Sequence, residues 1–274
     1  DIAMAFDQST RRSRHARQPT GKHIRFTERD TAILIQLFRY RYLNSKQLVA
    51  LLKPQSEKRF VERLGDLFHE TGLIGRPKAQ WRFANAKCQS VFYELTDQGL
   101  RWLTQQGIQT DRVTLFSRRE RPGVRTQFEH RLLVIAHLVT LELTTFESPN
   151  ERFVTIDEIL RRAPATVRDL PNPLAAPITL RPSAAFPELK RPYKTHIIPD
   201  AIYGIEKLID GQKRYRFFAV EAERTSPKKR GQLDLSSSEK KQRLYAELHR
   251  QSIAQSHLGI PHLKLLLVHP PDRS

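Results

Sequence analysis

The sequence predicts an α+β protein built from two different parts. Residues 25–105 are predicted to form three helices, a strand, a basic loop, a second strand and a fourth helix. Residues 126–270 are predicted to form a long helix, three strands, a helix and a last strand. Runs of helices beside runs of strands indicate the α+β class. A chain of 274 residues is long enough for two hydrophobic cores.

Charge is the strongest feature of the composition. The chain carries 47 Lys and Arg against 29 Asp and Glu, a formal net charge of +18. Both halves are basic, with 22 against 12 in residues 1–120 and 25 against 17 in the rest. Such a balance favours a polyanionic partner, and the alternative is a basic protein without such a ligand.

Other compositional features exclude several classes of protein. Cys88 is the only cysteine, so the sequence holds neither a disulfide framework nor zinc-finger spacing. No apolar run reaches the length of a membrane span, and no secretory signal is visible. We therefore expect no membrane partner and a cytoplasmic, bacterial location.

Residues 1–24 are rich in arginine and poor in apolar residues, which predicts a disordered basic arm. Such an arm could lie along a DNA backbone or enter a minor groove. The alternative is a solvated tail or a remnant of expression.

Capping and terminating residues divide residues 25–105 into elements. Four apolar stretches of helical period each follow a capping side chain: Thr27, Asn44 or Ser45, Ser56 and Thr96. Thr27-Glu28-Arg29-Asp30 has the form of a capping box. Pro54 and Gly72 end the second and third helices. Short strands at 73–74 and 91–95 enclose the polar, basic loop 76–90.

This order of elements is that of a winged helix-turn-helix domain, whose third helix enters the major groove of DNA. The predicted DNA-binding residues lie on the third helix and in the loop that forms the wing: Lys58, Arg59, Arg63, Arg76, Lys78 and Arg82. The alternative is a winged helix that docks onto another protein, with these charges merely solvated.

The second part begins after a basic linker at residues 106–125. The stretch 161–200 holds 8 of the 17 prolines, which predicts a long irregular insertion at 163–194. The turn at Asp210-Gly211 predicts a hairpin. The predicted elements are helix 126–143, strands 152–160, 197–205 and 214–223, helix 236–252 and strand 262–268.

Three acidic residues fall on two of these strands, namely Asp200, Glu221 and Glu223. Carboxylates at positions i and i+2 of a strand point to the same face. Three acids close together in so basic a chain point to a divalent cation acting at a phosphodiester, since hard cations prefer oxygen ligands. The alternative is that Glu221 and Glu223 pair with basic neighbours such as Lys228 and Lys229.

Residues 126–270 resemble the core of the PD-(D/E)xK nuclease superfamily in element order and in the Pro199-Asp200 and Glu221-x-Glu223 motifs. The resemblance implies Mg²⁺ or Mn²⁺ held by Asp200 and Glu221, with Glu129 of the first helix as a further ligand. Glu223 stands where the superfamily has its catalytic lysine. Lys241, on the face of the next helix that carries Tyr245, is the candidate replacement.

Most of residues 25–250 are similar to the replication-relaxation family of plasmids and mobile elements. The segments that carry this resemblance are 27–34, 39–43, 47–48, 93–99, Glu129-His130, 198–201 and 218–224. The resemblance implies double-stranded DNA as partner and a role in replication or maintenance of a mobile element, beside other replication or mobilisation proteins. It leaves a homodimer open.

These observations support three hypotheses. The first is a site-specific DNA-binding protein whose nuclease-like domain is degenerate. The second is a Mg²⁺- or Mn²⁺-dependent DNA endonuclease with Asp200, Glu221, Glu223 and Lys241 in its active site. The third is a docking module within a larger complex. His130 and His137 share a helical face, and we interpret them as packing residues rather than metal ligands.

Overall fold

The computed structural model describes residues 12–82, 89–108, 125–223 and 238–270, with the side chains of 125 and 126 excepted. The chain divides into two compact units, Asp1–Phe38 with Tyr42–Thr110 and Arg39–Arg41 with Asp111–Ser274. Both units mix helices with β-sheet, so the protein belongs to the α+β class, as predicted.

Helices dominate the first unit. Its elements are α1 (Glu28–Tyr40), β1 (Tyr42–Asn44), α2 (Ser45–Leu52), α3 (Glu57–Asp66), β2 (Ile74–Gly75), β3 (Phe92–Leu95) and α4 (Asp97–Gln105). A π-helical turn at Leu67–Thr71 follows α3, and a 3-10 turn at Lys78–Arg82 follows β2. The strands form a small antiparallel sheet in the order β1-β3-β2. Strand β1 is not among the elements predicted from the sequence.

The predicted helix caps are confirmed. The Asn44 side chain accepts a hydrogen bond from the Gln47 amide, and Gln47 accepts one from the Asn44 amide in return. The hydroxyl of Thr96 accepts from the Gly99 amide and caps α4. At the start of α1, the amide and hydroxyl of Thr27 both donate to the Asp30 carboxylate.

The core of the first unit forms where the apolar faces of the helices meet the sheet. The residues without measurable exposure are Ile33, Leu34, Leu43, Leu48, Leu64, Leu67, Ile74 and Leu103. Gly99 lies at the tightest contact of this core. A Cβ atom built on Gly99 would lie 2.2 Å from the carbonyl oxygen of Leu73, so no side chain fits there without movement of the backbone.

Residues 12–22 lie against the end of α3, whereas the sequence predicts a disordered arm over 1–24. The Glu70 carboxylate accepts hydrogen bonds from Arg12, from the amide and hydroxyl of Thr20 and from the Gly21 amide. The amide of Gln18 donates to Nδ1 of His69. Polar contacts hold a segment that has little apolar surface to bury. The rest of the arm, residues 1–11, lies outside the described residues.

A four-stranded sheet forms the centre of the second unit. The elements are α5 (Arg125–Glu147), β4 (Glu151–Val154), α6 (Ile156–Arg162), α7 (Ala165–Arg168), β5 (Ala176–Leu180), β6 (Tyr193–Ile197), β7 (Ala201–Ile209), β8 (Gln212–Ala222), α8 (Ser238–Arg250) and β9 (Lys264–Val268). The sheet order is β4-β7-β8-β9, antiparallel except for the parallel β8–β9 pair. Strands β5 and β6 form a separate antiparallel ladder.

Two predicted elements of this unit were wrong. The strand expected over 152–160 is only β4, because Thr155 and Glu158 form a capping box that begins α6. The irregular insertion expected over 163–194 contains α7, β5 and the start of β6. Pro177 fits within β5 because this strand belongs to a two-stranded ladder, in which a proline can occupy an edge position.

Both faces of the four-stranded sheet are covered. On one face Ile202, Phe217 and Ala219 join a buried cluster with residues of α6, α8 and the β5–β6 ladder. On the other face α5 packs against the sheet, and His137 meets the ring of Tyr203 edge-on. The predicted hairpin joins β7 to β8, with Asp210 at φ 50° and Gly211 at φ 73° as the turn requires. No helix in the described ranges is both long and apolar enough to cross a membrane.

We predict that Gly99→Ala destabilises the first unit by about 2 kcal/mol, because the added methyl group collides with the Leu73 carbonyl. Chemical denaturation followed by circular dichroism measures the change. Arg101→Ala, at an exposed position of the same helix, is the control and should alter stability by less than about 0.5 kcal/mol. Equal stability of the two variants would contradict the tight contact at Gly99.

Candidate functional site

Two carboxylates lie side by side where β7 begins and β8 ends. Ala201 pairs with Val220 in the β7–β8 ladder, so Asp200 lies beside Glu221 on the neighbouring strand. The backbone fixes Asp200 at this position: its amide donates to the Val220 carbonyl at 3.0 Å, and the Ala222 amide donates to Oδ2 of Asp200 at 2.8 Å. Glu221 is only 8% exposed.

Helix α8 brings a lysine to the same place. Nζ of Lys241 is 2.9 Å from Oε2 of Glu221 and 3.5 Å from the carbonyl oxygen of Ala222. One turn further along α8, the Tyr245 hydroxyl donates to Oε1 of Glu221 at 2.9 Å. Tyr245 is buried with Leu244 and Leu248, so this face of α8 packs against the sheet as the sequence predicts. The structure thus brings Asp200, Glu221 and Lys241 together.

The two carboxyl groups have pKa values shifted in opposite directions. Burial raises the pKa of Glu221, and the charge of Asp200 raises it further against the opposing effects of Lys241 and Tyr245. Burial also acts to raise the pKa of Asp200, but the contacts with His130, Ala222 and Lys241 together hold it below its ordinary value. Neighbouring acids with divergent pKa values are typical of sites that hold protons or cations.

His130 and Tyr245 contact the two carboxylates, although neither was predicted as a site residue. The Nε2 atom of His130 is 3.0 Å from Oδ1 of Asp200, whereas the sequence analysis assigned His130 to packing. The sequence feature that indicates His130 is its position directly after Glu129, in the first turns of the long helix. Glu129 itself is exposed.

The predicted set of three carboxylate metal ligands is not assembled. Among the residues that the structure describes, no group of three or more His, Cys, Asp or Glu side chains is arranged to hold a metal ion. Asp200 and Glu221 remain as a pair, and Glu129 does not complete such a group. Two carboxylates are nevertheless sufficient for Mg²⁺, which keeps several of its waters and also binds substrate phosphate.

Glu223 lies just beyond the end of β8. Its amide donates to the Val268 carbonyl at 2.8 Å, which continues the pairing with β9. Its carboxylate is 2.8 Å from Nδ1 of His269, so Glu223 and Glu221 contact different partners. The alternative partners Lys228 and Lys229 fall in 224–237, outside the described residues.

The candidate DNA-binding residues of α3 separate into two kinds. Lys58 and Arg59 are exposed. Arg63 instead forms a bidentate ion pair with the fully buried Asp30, with Nε–Oδ1 at 2.9 Å and Nη2–Oδ2 at 2.6 Å. Nη2 of Arg63 also donates to the Arg25 carbonyl at 2.8 Å. Arg63 therefore joins α3 to the start of α1 and is a structural residue.

The candidate residues of the wing separate in the same way. Arg76 donates to the carbonyl oxygens of Ser13 and Arg14, and its guanidinium lies 4.0 Å from the ring centroid of Phe68. Arg76 thus anchors the arm. Lys78 and Arg82, at the two ends of the 3-10 turn, are exposed. The remainder of the loop, residues 83–88, lies outside the described part of the chain.

Acidic side chains at the end of α3 are neutralised by the arm. Oδ1 of Asp66 is 2.6 Å from Arg12, and Oδ2 is 2.6 Å from Lys22. Glu70, in the π-helical turn, is 2.9 Å from Arg12. Two carboxylates that would repel a polyanion at this end of α3 are therefore paired with cations.

Comparison of the chain with known proteins gives no relative: no protein-family model matches it, and neither does any curated protein or solved structure.

We predict that Arg63→Ala costs about 3 kcal/mol of stability at neutral pH, because it leaves the Asp30 carboxylate buried without its cation. Arg59→Ala, at an exposed position of the same helix, should change stability by less than about 0.5 kcal/mol. Denaturation curves of both variants measure the difference.

The stability contributed by the Asp30–Arg63 pair depends on pH. Although burial opposes it, hydrogen bonds from Arg63 and Thr27 hold the pKa of Asp30 below its ordinary value. A carboxyl group whose pKa is depressed in the folded state stabilises the protein at pH values above its unfolded pKa of about 3.9. This stabilisation is lost as the pH falls towards the folded pKa. The deficit of Arg63→Ala should therefore narrow as the pH falls below about 4. A deficit independent of pH would contradict the ion pair.

Proposed function

We propose that this protein binds double-stranded DNA through its first unit, a winged helix-turn-helix in which α3 is the reading helix. The order of helices and strands, with the three strands paired as β1-β3-β2, is the arrangement expected of such a domain. The observation that carries the proposal is the outer face of α3, where Lys58 and Arg59 are exposed opposite the buried Phe60 and Leu64.

Charge supports a polyanionic partner for this helix. The chain has a net charge of +18, and the arm neutralises the acids at the end of α3. Lys78 and Arg82 add exposed cations beside the sheet, where a wing contacts the DNA backbone. The resemblance of the sequence to the replication-relaxation family supports DNA of a plasmid or another mobile element as the natural site.

We expect the full chain to bind a duplex of randomised sequence with an affinity that falls steeply as the salt concentration rises. Arg59→Ala, Lys78→Ala and Arg82→Ala should each weaken binding and reduce the salt slope by about 1 for each phosphate contact removed, and Lys58→Ala should weaken binding as well. Fluorescence anisotropy across a salt series measures both quantities.

Arg101→Ala removes an exposed cation from α4 and is the matched control, with affinity and slope expected to stay unchanged. Two results would contradict the proposal: equal affinity of all these variants, or no measurable binding to duplex DNA at low salt. A stable complex with other proteins in the absence of nucleic acid would then favour the docking module.

The second unit supports a second candidate function, the metal-dependent hydrolysis of DNA in the manner of a PD-(D/E)xK nuclease. The observation in its favour is the convergence of Asp200, Glu221 and Lys241. Asp200 and Glu221 would hold the cation, since two adjacent carboxylates suit Mg²⁺ or Mn²⁺. A bound divalent cation neutralises charge at the phosphate and lowers the pKa of a coordinated water.

Each residue of this site has a part that follows from its contacts. The Ala222 amide and His130 orient the Asp200 carboxylate from its two oxygens. The Tyr245 hydroxyl holds one oxygen of Glu221, and Lys241 contacts the other. The Lys241 ammonium supplies a positive charge that can orient a water at a phosphate. Hydrolysis adds that water oxygen to phosphorus, breaks one P–O ester bond and gives a proton to the leaving oxygen.

We predict nicking of supercoiled DNA in Mg²⁺ or Mn²⁺, abolished by chelator. Asp200→Asn and Lys241→Met should each reduce the rate by about 10²-fold or more, because each removes a charge next to the reacting phosphate. Glu223→Gln is the matched control and should retain activity, since the Glu223 carboxylate contacts His269 instead. Gel electrophoresis measures the rate.

If the wild-type protein cleaves no form of DNA in either metal, or if Asp200→Asn cleaves as fast, the nuclease function is wrong. The second unit is then a degenerate nuclease-like domain, and the proposal for the first unit is unaffected.

A further inference from the structure

Four residues form a strip along the outer face of α3. Lys58, Val61, Glu62 and Gly65 follow one another at i, i+3, i+4 and i+7, which puts them on one side of the helix. The other side carries Phe60 and Leu64, which are buried. Lys58 and Glu62 are exposed, and Val61 is 44% exposed, one of the few large apolar side chains described that stay in solvent.

Gly65 is the unusual member of the strip, because no contact in the described part of the chain requires a glycine there. Its φ angle is not in the positive range that favours glycine. A Cβ atom built on Gly65 would meet nothing within 4 Å in the described part of the chain, in contrast to Gly99. Glycine inside a helix is less favourable than alanine. The described part of the chain therefore leaves room for a partner to approach the helix backbone at Gly65.

We propose that the strip Lys58, Val61, Glu62 and Gly65 reads base edges in the DNA major groove, with Gly65 letting the helix backbone approach the DNA closely. This inference rests on the proposed DNA-binding function and names the residues that give it sequence specificity. Each side chain has a matching base edge: the Lys58 ammonium donates to guanine O6 and N7, the Val61 methyl groups contact the thymine methyl, and the Glu62 carboxylate accepts from cytosine N4.

The surroundings of the strip fit this use. Asp66 follows Gly65 directly, and as a free carboxylate it would repel the nearest phosphate. It is instead paired with Arg12 and Lys22 of the arm, so the end of α3 can come close to a phosphate. Arg59, exposed on the flank of the strip, is positioned for the backbone.

Duplex DNA suits this strip better than RNA. The major groove of B-DNA admits an α-helix, whereas that of an RNA duplex is too deep and narrow for side chains to read. The thymine methyl group, which RNA lacks, is also the natural contact for an exposed valine. The strip thus predicts a site that contains thymine, and it predicts that uracil is discriminated against.

The first measurement uses the opposite effects of Gly65→Ala on stability and on binding. Alanine should raise the melting temperature by about 2–4 °C, because it favours the helix and fills open space. It should weaken binding about tenfold to a duplex selected by the full-length wild-type chain from a library with a randomised centre. Thr140→Ala, at an exposed position of α5, gives a similar gain in helix propensity and should leave affinity unchanged.

The second measurement replaces single thymines of the selected duplex by uracil. The wild-type chain should lose about three- to tenfold in affinity at one position, whereas Val61→Ala should lose clearly less, because its single methyl group makes less contact with the thymine methyl. Leu208→Ala is the control, since Leu208 of the second unit is 45% exposed, and it should still distinguish the two duplexes.

Gly65→Ala that binds as tightly as the wild type, or Val61→Ala that discriminates against uracil as strongly as the wild type, would overturn the proposed role of the strip. Salt-dependent binding with neither effect would leave the DNA-binding function intact and remove only this inference. Absence of binding to every duplex would remove both.

Discussion

The antiparallel ladder between β7 and β8 is the constraint on which the second unit depends. Nine consecutive pairs, from Ala201 with Val220 to Ile209 with Gln212, fix the register of the two strands. A shift of one residue would turn every side chain to the other face of the sheet. The register therefore decides that Phe217 and Ala219 enter the core and that Glu221 ends beside Asp200. Strand β9 pairs with β8, and helix α8 packs against the sheet, so the positions of both depend on the β7–β8 hairpin.

In the first unit, charged groups fix the positions of elements around an apolar core. The Asp30–Arg63 pair joins the start of α1 to α3, and the Glu70 carboxylate holds the arm by accepting from four donor groups of Arg12, Thr20 and Gly21. Buried pairs of this kind fix geometry more than they add stability, since each charge loses its hydration. Of the two arginines of α3, Arg63 is thus committed to the fold, whereas Arg59 remains exposed.

The sequence predicts best those features that depend on local contacts. The caps at Asn44 and Thr96 and the turn at Asp210-Gly211 depend on neighbours within a few residues, and all three are confirmed. The apolar face of α8 was equally readable, and it brought Lys241 to Glu221. The strand predicted over 152–160 was too long. Residues 153–156 form an apolar, partly β-branched run that fits a strand, whereas the Thr155–Glu158 capping box favours a helix. The contacts of His130 and of the arm with α3 and its π-helical turn join residues more than 40 positions apart, which no local pattern encodes.

The polar attachment of the arm makes its position on α3 sensitive to salt. Because Arg12 and Lys22 hold the arm by ion pairs, rising ionic strength screens the arm as well as any polyanion on α3. Each arm cation that loosens uncovers a carboxylate at the end of the helix, and the surface potential there becomes more negative. Release of a bound polyanion and loosening of the arm would then reinforce each other. The apparent number of ions taken up on dissociation would exceed the number of phosphates contacted, and a titration would report a sharper transition than the interface alone produces.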